Sequence, residues 1–297
     1  MTAHGFEAQL MDLAAQATAA LDRLIPPAPG PRGRVLEAMR YSALDGGKRF
    51  RPFLVLASAD IWGVARARSE RAAAALEMVH CYSLIHDDLP AMDDADLRRG
   101  RPSVHKAFDE AVAILAGDGL LTLAFEVLAE EATDPDPGVR LRLIRELALA
   151  SGCAGMVGGQ MIDLSPERDG LDLAGVAELQ ALKTGALIRY GARAGAILGR
   201  ASPEEEAALD RYASDLGLVF QIADDILDIT ATTESLGKPA GQDEGNAKAT
   251  FVRLLGLDGA RAEAARITER AIASLERFGP AAEPLREAAR FALSRRN

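Results

Sequence analysis

The sequence predicts an all-α protein. Apolar residues recur at helical spacing through stretches rich in Ala, Leu, Arg and Glu, and sustained period-two alternation is almost absent. Clusters of Pro and Gly cut this pattern into segments of about 12 to 25 residues, the usual size of core helices. An apolar content of 48% in 297 residues is ample for a continuous core. No shift of composition marks a boundary, so a single domain over residues 1–297 is expected.

The elements follow in order. Pro26 to Pro31 separates an N-terminal amphipathic helix from the body. A strongly apolar segment then carries His80 and Asp87, and Pro90, which lacks a backbone donor, should end or bend that helix. Thr133 to Gly138, Ser165 to Gly170 and Gly199 to Pro203 mark further turns. Gly152, Gly155, Gly158 and Gly159 fall in an otherwise helical stretch, where they cost stability, so a close helix contact or an approaching ligand is expected there. A second apolar helix contains Phe220 to Ile229. Neither an internal repeat beyond the aspartate clusters nor a low-complexity segment is present.

Charge narrows the function classes. A net charge of −10 and a pI near 5.0 oppose a nucleic-acid surface, which needs a basic stripe. Two cysteines, Cys81 and Cys153, are too few for a disulfide framework and suit a reduced, cytoplasmic setting. Met1 to Leu10 lacks a basic region followed by an apolar one, and no uninterrupted apolar run approaches about 18 residues, so neither export nor a membrane span is expected.

Two aspartate clusters interrupt the apolar helices: Asp87-Asp88-Leu89-Pro90-Ala91-Met92-Asp93-Asp94 and Asp224-Asp225-Ile226-Leu227-Asp228. Adjacent carboxylates enclosed by helices repel one another and lose hydration, so cations are expected to neutralise them. Hard oxygen donors suit Mg²⁺, which binds through a few carboxylates, retained waters and substrate phosphates. A phosphorylated or diphosphorylated substrate follows. On a helical wheel Gln221, Asp224 and Asp228 share one face, with Asp225 turned about 100° away. In the first cluster His80, Leu84 and Asp87 share a face; Asp93 leaves it on a regular helix, but a bend at Pro90 would return it toward Asp87.

Cations are the second signal. Only five lysines stand beside 29 arginines, and four of them occupy conspicuous contexts: Gly46-Gly47-Lys48-Arg49-Phe50-Arg51-Pro52, Lys183-Thr184-Gly185, Gly237-Lys238-Pro239-Ala240-Gly241 and Lys248-Ala249-Thr250-Phe251. A compact ammonium suits a phosphate contact where a wide guanidinium fork does not. Arg98-Arg99-Gly100-Arg101 follows the first cluster and suits diphosphate oxygens left uncovered by metal. Gly46-Gly47-Lys48-Arg49 lacks Walker spacing and its terminal hydroxyl, which excludes that route to nucleotide hydrolysis.

These motifs, in this order, resemble those of the short-chain trans-prenyl (polyprenyl) diphosphate synthases, most closely the bacterial farnesyl diphosphate synthases. Gly46 to Pro52 is similar to the family's GGKRxRP segment, His80 to Asp93 with Arg98-Arg99 to its first aspartate-rich region, and Phe220 to Asp228 to its second. Gly158-Gly159-Gln160, Lys183-Thr184 and Lys238 to Lys248 occupy the expected order, so the likeness spans nearly the whole chain. It implies an all-α isoprenoid synthase fold, helices around a central apolar cavity, with the aspartate motifs facing each other at its mouth. It also implies a homodimer. Asp87, Asp93 and Asp224 would bind Mg²⁺ (Mn²⁺ as substitute) directly, with Asp88 and Asp228 assisting or acting through water. Arg98, Lys183 and Lys238 would hold an allylic diphosphate; Lys48, Arg51, His80 and Arg99 would hold isopentenyl diphosphate. Lys248 would join the substrate site, and Thr184 and Gln221 would lie beside the reacting carbons. Gln242 departs from the family's GKxxGKD segment, where many relatives carry lysine.

The implied reaction is head-to-tail condensation of isopentenyl diphosphate with dimethylallyl or geranyl diphosphate, giving mainly farnesyl diphosphate. Geranylgeranyl or geranyl diphosphate synthesis is the alternative. A class I terpene cyclase would carry an asparagine- and serine- or threonine-containing second motif, and a noncatalytic synthase subunit would have lost one aspartate motif. For product length, Ser83 lies nearer the Asp87 face of the wheel, with Tyr82 about 140° away. Resemblance selects Tyr82, since an aromatic residue there accompanies a C15 product.

Overall fold

Residues 3–27, 29–165, 168, 170–230 and 250–294 are described by the computed structural model, and helices account for most of them. The chain groups into two compact units, Met1–Arg145 with Ile197–Gly199, and Glu146–Ala196 with Arg200–Asn297.

The first unit opens with α1 (Ala3–Leu24), whose Phe6, Leu10, Leu13, Ala17 and Leu21 recur at spacings of three and four and are buried. Then follow α2 (Gly33–Ala43), α3 (Phe50–Asp60) and α4 (Arg66–Asp87). Every residue from Ala72 to Val79 of α4 is buried, the mark of a helix enclosed on all sides, and α1, α2, α3 and α6 (Glu110–Ala129) surround it. Between α4 and α6 come β1 (Leu97–Arg98), β2 (Arg101–Pro102) and the short α5 (Val104–Ala107). The two strands pair antiparallel across Arg99 and Gly100, both at positive φ (53° and 79°), as a two-residue hairpin turn requires. Asp109 caps α6 by accepting from the Val112 N–H at 2.8 Å. Among the described residues α6 is the one helix long and apolar enough to cross a membrane by length and composition. It packs along α4 and α2 and carries Asp118 and Glu126.

Helix α7 (Pro137–Ser151) leads into the second unit, with α8 (Met156–Asp163), α9 (Leu173–Gln180), a π-helical segment Ala181–Gly185 and α10 (Ala186–Leu198). α11 (Pro203–Thr230) is the long helix of this unit, followed by α12 (Phe251–Ala273), a 3₁₀ segment Glu276–Ala282 and α13 (Glu283–Ser294). α12 breaks direction at Gly256, where φ is 72°. Ser202 starts α11 with a reciprocal cap: its N–H donates to Glu205 Oε2 at 2.8 Å and its Oγ accepts from the Glu205 N–H at 3.3 Å. α11 buries Leu209, Tyr212, Leu216, Val219 and Ile222 against α12, α13 and the π segment. The glycine-rich stretch departs from the continuous helix expected there: the chain leaves helical conformation between Ser151 and Met156, so Gly152 and Gly155 sit in the break. Gly159 does lie at a close helix contact, because a Cβ there would collide with the backbone of Lys183.

Candidate active site

In the first unit, the turn after α2 carries Gly46 and Gly47 at φ 57° and 91°, and Arg49 at φ 48°, before α3 begins at Phe50. Lys48 is exposed and Arg51 half-buried. Arg51 Nη1 lies 3.4 Å from His80 Nε2 on α4. Arg99, at the tip of the hairpin, reaches back to donate to Asp45 O at 2.9 Å and Gly46 O at 3.1 Å. A Cβ on Gly47 would stand 2.8 Å from that guanidinium, so glycine is needed for the approach. Burial, then the charges of Arg51, Arg99, Arg49 and Arg98, hold the His80 imidazole well below its ordinary pKa and therefore neutral. Of these guanidinium groups Arg49 pairs with buried Glu77 and Arg98 with buried Asp88, so Arg51 and Arg99 supply most of the anion-attracting charge beside the neutral imidazole.

The first aspartate cluster begins where α4 ends. Asp87 closes the helix half-buried; the chain then turns through Leu89 and Pro90, and the Asp93 N–H donates to Asp87 O at 2.8 Å. That bond realises the expected bend and brings exposed Asp93 back beside Asp87. Asp88 is buried and paired with Arg98, whose Nε lies 3.0 and 3.2 Å from the two carboxylate oxygens. Asp94, at φ 46°, is drawn aside with Asp96 toward Lys106. Tyr82 is 7% exposed and meets the His86 ring edge-on at 5.7 Å, while Ser83 Oγ donates to His80 O at 2.9 Å. Gly117 of α6 faces His86 so closely that any side chain there would collide with the imidazole.

In the second unit, Lys183 and Thr184 lie in the π segment, a local widening of the helix common at functional sites. Lys183 Nζ pairs with Asp163 Oδ2 at 2.5 Å, and Arg168 Nη1 pairs with Asp163 Oδ1 at 2.9 Å. Gln221, Asp224 and Asp228 are all half-buried on the continuous helix α11. Asp225 points elsewhere, as the wheel requires: it is 9% exposed and accepts from the Phe251 N–H at 2.8 Å, at the start of α12. Lys238, Gln242 and Lys248 lie outside the described residues.

Sequence reasoning missed Asp163, Arg49 and Glu77. Asp163 follows Gly159 by four residues on an apolar helix, the same signal that singled out the other aspartates. Arg49 and Glu77 form an ion pair only 1% and 2% exposed, with Nη1 2.7 Å from Oε1. Gln160 was noted within a glycine motif but given no role; its side-chain oxygen and nitrogen are buried without a hydrogen-bond partner among the described residues, an unfavourable state that a polar ligand would relieve.

Among the described residues no three His, Cys, Asp or Glu side chains gather into a preformed metal cage. The hard oxygen donors that the turn brings near one another are those of half-buried Asp87 and exposed Asp93, whose backbones are joined by the Asp93 N–H to Asp87 O bond. This fits Mg²⁺, which keeps waters and takes much of its coordination from substrate phosphates, better than it fits a tightly caged ion.

A family model described as polyprenyl synthetase matches residues 33–280. Farnesyl diphosphate synthase of Escherichia coli (strain K12) is 48% identical over 278 residues, 92% of each chain. Geranylgeranyl pyrophosphate synthase 9, chloroplastic, of Arabidopsis thaliana is 46% identical over 268 residues, 89% of this chain and 74% of that one. Among solved structures, an apo FPP/GFPP synthase from Zymomonas mobilis matches with a TM-score of 0.89 and 46% identity, covering 99% of this chain and 100% of that one. The all-α isoprenoid synthase fold expected from the motifs is therefore the fold of this protein. The chain belongs to the polyprenyl synthetase family and is a prenyltransferase.

Proposed function

We propose that this enzyme joins isopentenyl diphosphate head to tail with dimethylallyl and then geranyl diphosphate, releasing mainly farnesyl diphosphate. The single observation that carries the reading is the corner in which Arg51 meets His80 and Arg99 reaches back over the Gly46–Gly47 turn, at the face of α4 that also carries half-buried Asp87. Lys48, Arg51, Arg99 and His80 bind isopentenyl diphosphate there; the neutral imidazole offers a hydrogen bond without adding a further positive charge. Arg98, steadied by Asp88, joins Lys183 and Lys238 on the allylic diphosphate, with Lys248 completing the substrate site. Lys183 pairs with Asp163, a contact with which a bound diphosphate would compete.

Asp87, Asp93 and Asp224, assisted by Asp88 and Asp228, would hold Mg²⁺, for which Mn²⁺ could substitute. The bound metal would neutralise charge on the departing diphosphate. The cationic side chains stabilise the same developing charge, and they act strongly because they are already oriented. Thr184 and Gln221 lie beside the reacting carbons. With both substrates held in line, attack by the isopentenyl double bond on the allylic carbon becomes effectively unimolecular. The proton then leaves to the released diphosphate, which is why no separate side-chain base is assigned.

One polyprenyl synthase domain over residues 1–297 is the corresponding domain assignment, supported by a family match that runs unbroken through both compact units. Assembly as a homodimer is the corresponding expectation from membership of the family. Work in a reduced cytoplasmic setting is in keeping with two free cysteines, buried Cys81 and exposed Cys153. A geranylgeranyl product is the second reading, favoured by the 46% identity to a geranylgeranyl pyrophosphate synthase.

The test is incubation of the purified protein with isopentenyl and geranyl diphosphates, with chromatography of the dephosphorylated products. Farnesol is expected, and geranylgeraniol as main product selects the second reading. Turnover of geranyl diphosphate without isopentenyl diphosphate would instead indicate a cyclase, and no turnover a noncatalytic subunit.

A further inference from the structure

Arg49 turns away from its neighbours. Lys48 before it is exposed and Arg51 after it meets His80, yet the Arg49 guanidinium enters the core of the first unit. Its fork reaches three elements at once: Nη1 donates to Glu77 Oε1 of α4 at 2.7 Å, Nη2 to Ala43 O at the end of α2 at 2.6 Å, and Nε to Thr18 Oγ1 of α1 at 3.4 Å. The backbone of Arg49 is left-handed, φ 48°, ψ 39°, a conformation that a non-glycine residue keeps only when its surroundings impose it. Glu77 lies three residues before His80 on α4, one helical turn away.

A buried ion pair is a poor source of stability, because desolvation cancels much of its attraction and apolar residues of similar size often serve as well. Apolar replacements cannot, however, choose one orientation among three elements, whereas a planar fork with directed donors can. We propose that the Arg49–Glu77 pair is a positioning device: it fixes the Gly46–Pro52 segment so that Lys48 and Arg51 stand in register with His80. Arg99 secures the same segment from the other side through Asp45 O and Gly46 O. The inference rests on assigning this corner to isopentenyl diphosphate.

The test compares the parent, the double variant Arg49→Met/Glu77→Met, Arg49→Lys and Arg51→Ala by steady-state kinetics in each substrate, with urea denaturation alongside. The double variant should keep the parent's denaturation midpoint, raise KM for isopentenyl diphosphate about tenfold or more and leave KM for geranyl diphosphate within about twofold. Arg49→Lys keeps the charge but loses the fork, and should show the same selective rise to a smaller degree; it also supplies the readout if the double variant does not fold. An unchanged isopentenyl KM, an equal rise for both substrates, or failure of both variants to fold would overturn the positioning role. Arg51→Ala separates the two levels of the claim. If it alone raises the isopentenyl KM, only the positioning inference falls; if it leaves that KM unchanged, the corner itself is misassigned and the positioning role falls with it.

Discussion

The two aspartate clusters divide their adjacent carboxylates in the same way by different local means. In each, one member is buried and committed to the protein, Asp88 to Arg98 and Asp225 to the Phe251 N–H, while its neighbour, Asp87 or Asp224, remains half-buried. In the second cluster a continuous helix does this alone, since successive residues on α11 point about 100° apart. In the first the helix ends at Asp87, and a turn through Pro90 returns Asp93 to it. In each DD pair one carboxylate is therefore held in a buried contact while the other stays half-buried.

Mutation should separate those roles. Asp87→Ala and Asp224→Ala should each lower turnover roughly 10²- to 10³-fold, the equivalent of about 3 to 4 kcal/mol of lost electrostatic stabilisation, with the urea midpoint preserved. Steady-state rates near the parent's in either variant, or after exhaustive chelation, would remove the metal mechanism.

A second comparison sets the cationic corner of the first unit against the π segment of the second. Arg51→Ala or His80→Ala should raise KM for isopentenyl diphosphate about 10- to 100-fold, as loss of a hydrogen bond to a charged group of about 1.5 to 3 kcal/mol requires, and Lys183→Ala should do so for the allylic partner. Kinetics with each substrate varied in turn would show it. Indistinguishable effects on the two substrates would dissolve the distinction between the pockets.

For the buried carboxylates Asp225 and Asp88 a loss of stability is expected in addition to any effect on turnover. Asp225→Ala strands a buried backbone N–H and should reduce unfolding free energy by about 1 to 3 kcal/mol in urea denaturation. Asp88→Ala should cost less, because the Arg98 side chain is 39% exposed and water can replace part of its partner. A larger loss for Asp88→Ala than for Asp225→Ala would invert this ranking.

The smallest expected effect on rate is the largest on product. Tyr82→Ala should leave turnover within about threefold while shifting product from farnesyl toward geranylgeranyl diphosphate, since it opens space beside His86 and removes no charged group. An unchanged C15 product on chromatography would place the floor of the chain-binding cavity elsewhere.

What local spacing encodes was legible beforehand. The apolar stripe of α1, the start of α11 at Pro203 and the turning of Asp225 away from Asp224 all follow from helical geometry, which depends only on neighbours three and four residues apart. The bend at Pro90 was legible for the same reason, because a missing donor acts on the turn containing it. Burial also made the composition of the site readable, since clustered carboxylates on apolar helices need a cationic partner.

Tertiary structure alone decided the pairings between distant segments. Arg49 meets Glu77 28 positions away, Lys183 meets Asp163 20 positions away and Asp225 meets Phe251 26 positions away. No periodicity reports such distances. The π segment that carries Lys183 and the break at Gly152 to Gly155 were likewise decided by packing, where Gly159 admits the Lys183 backbone at a distance no side chain would allow. Sequence by itself determined the helices and the chemical types gathered on them, because those are fixed by short-range sterics and hydrophobic spacing. Which partner holds each buried carboxylate depends on where chain segments meet, and only the folded structure settles that.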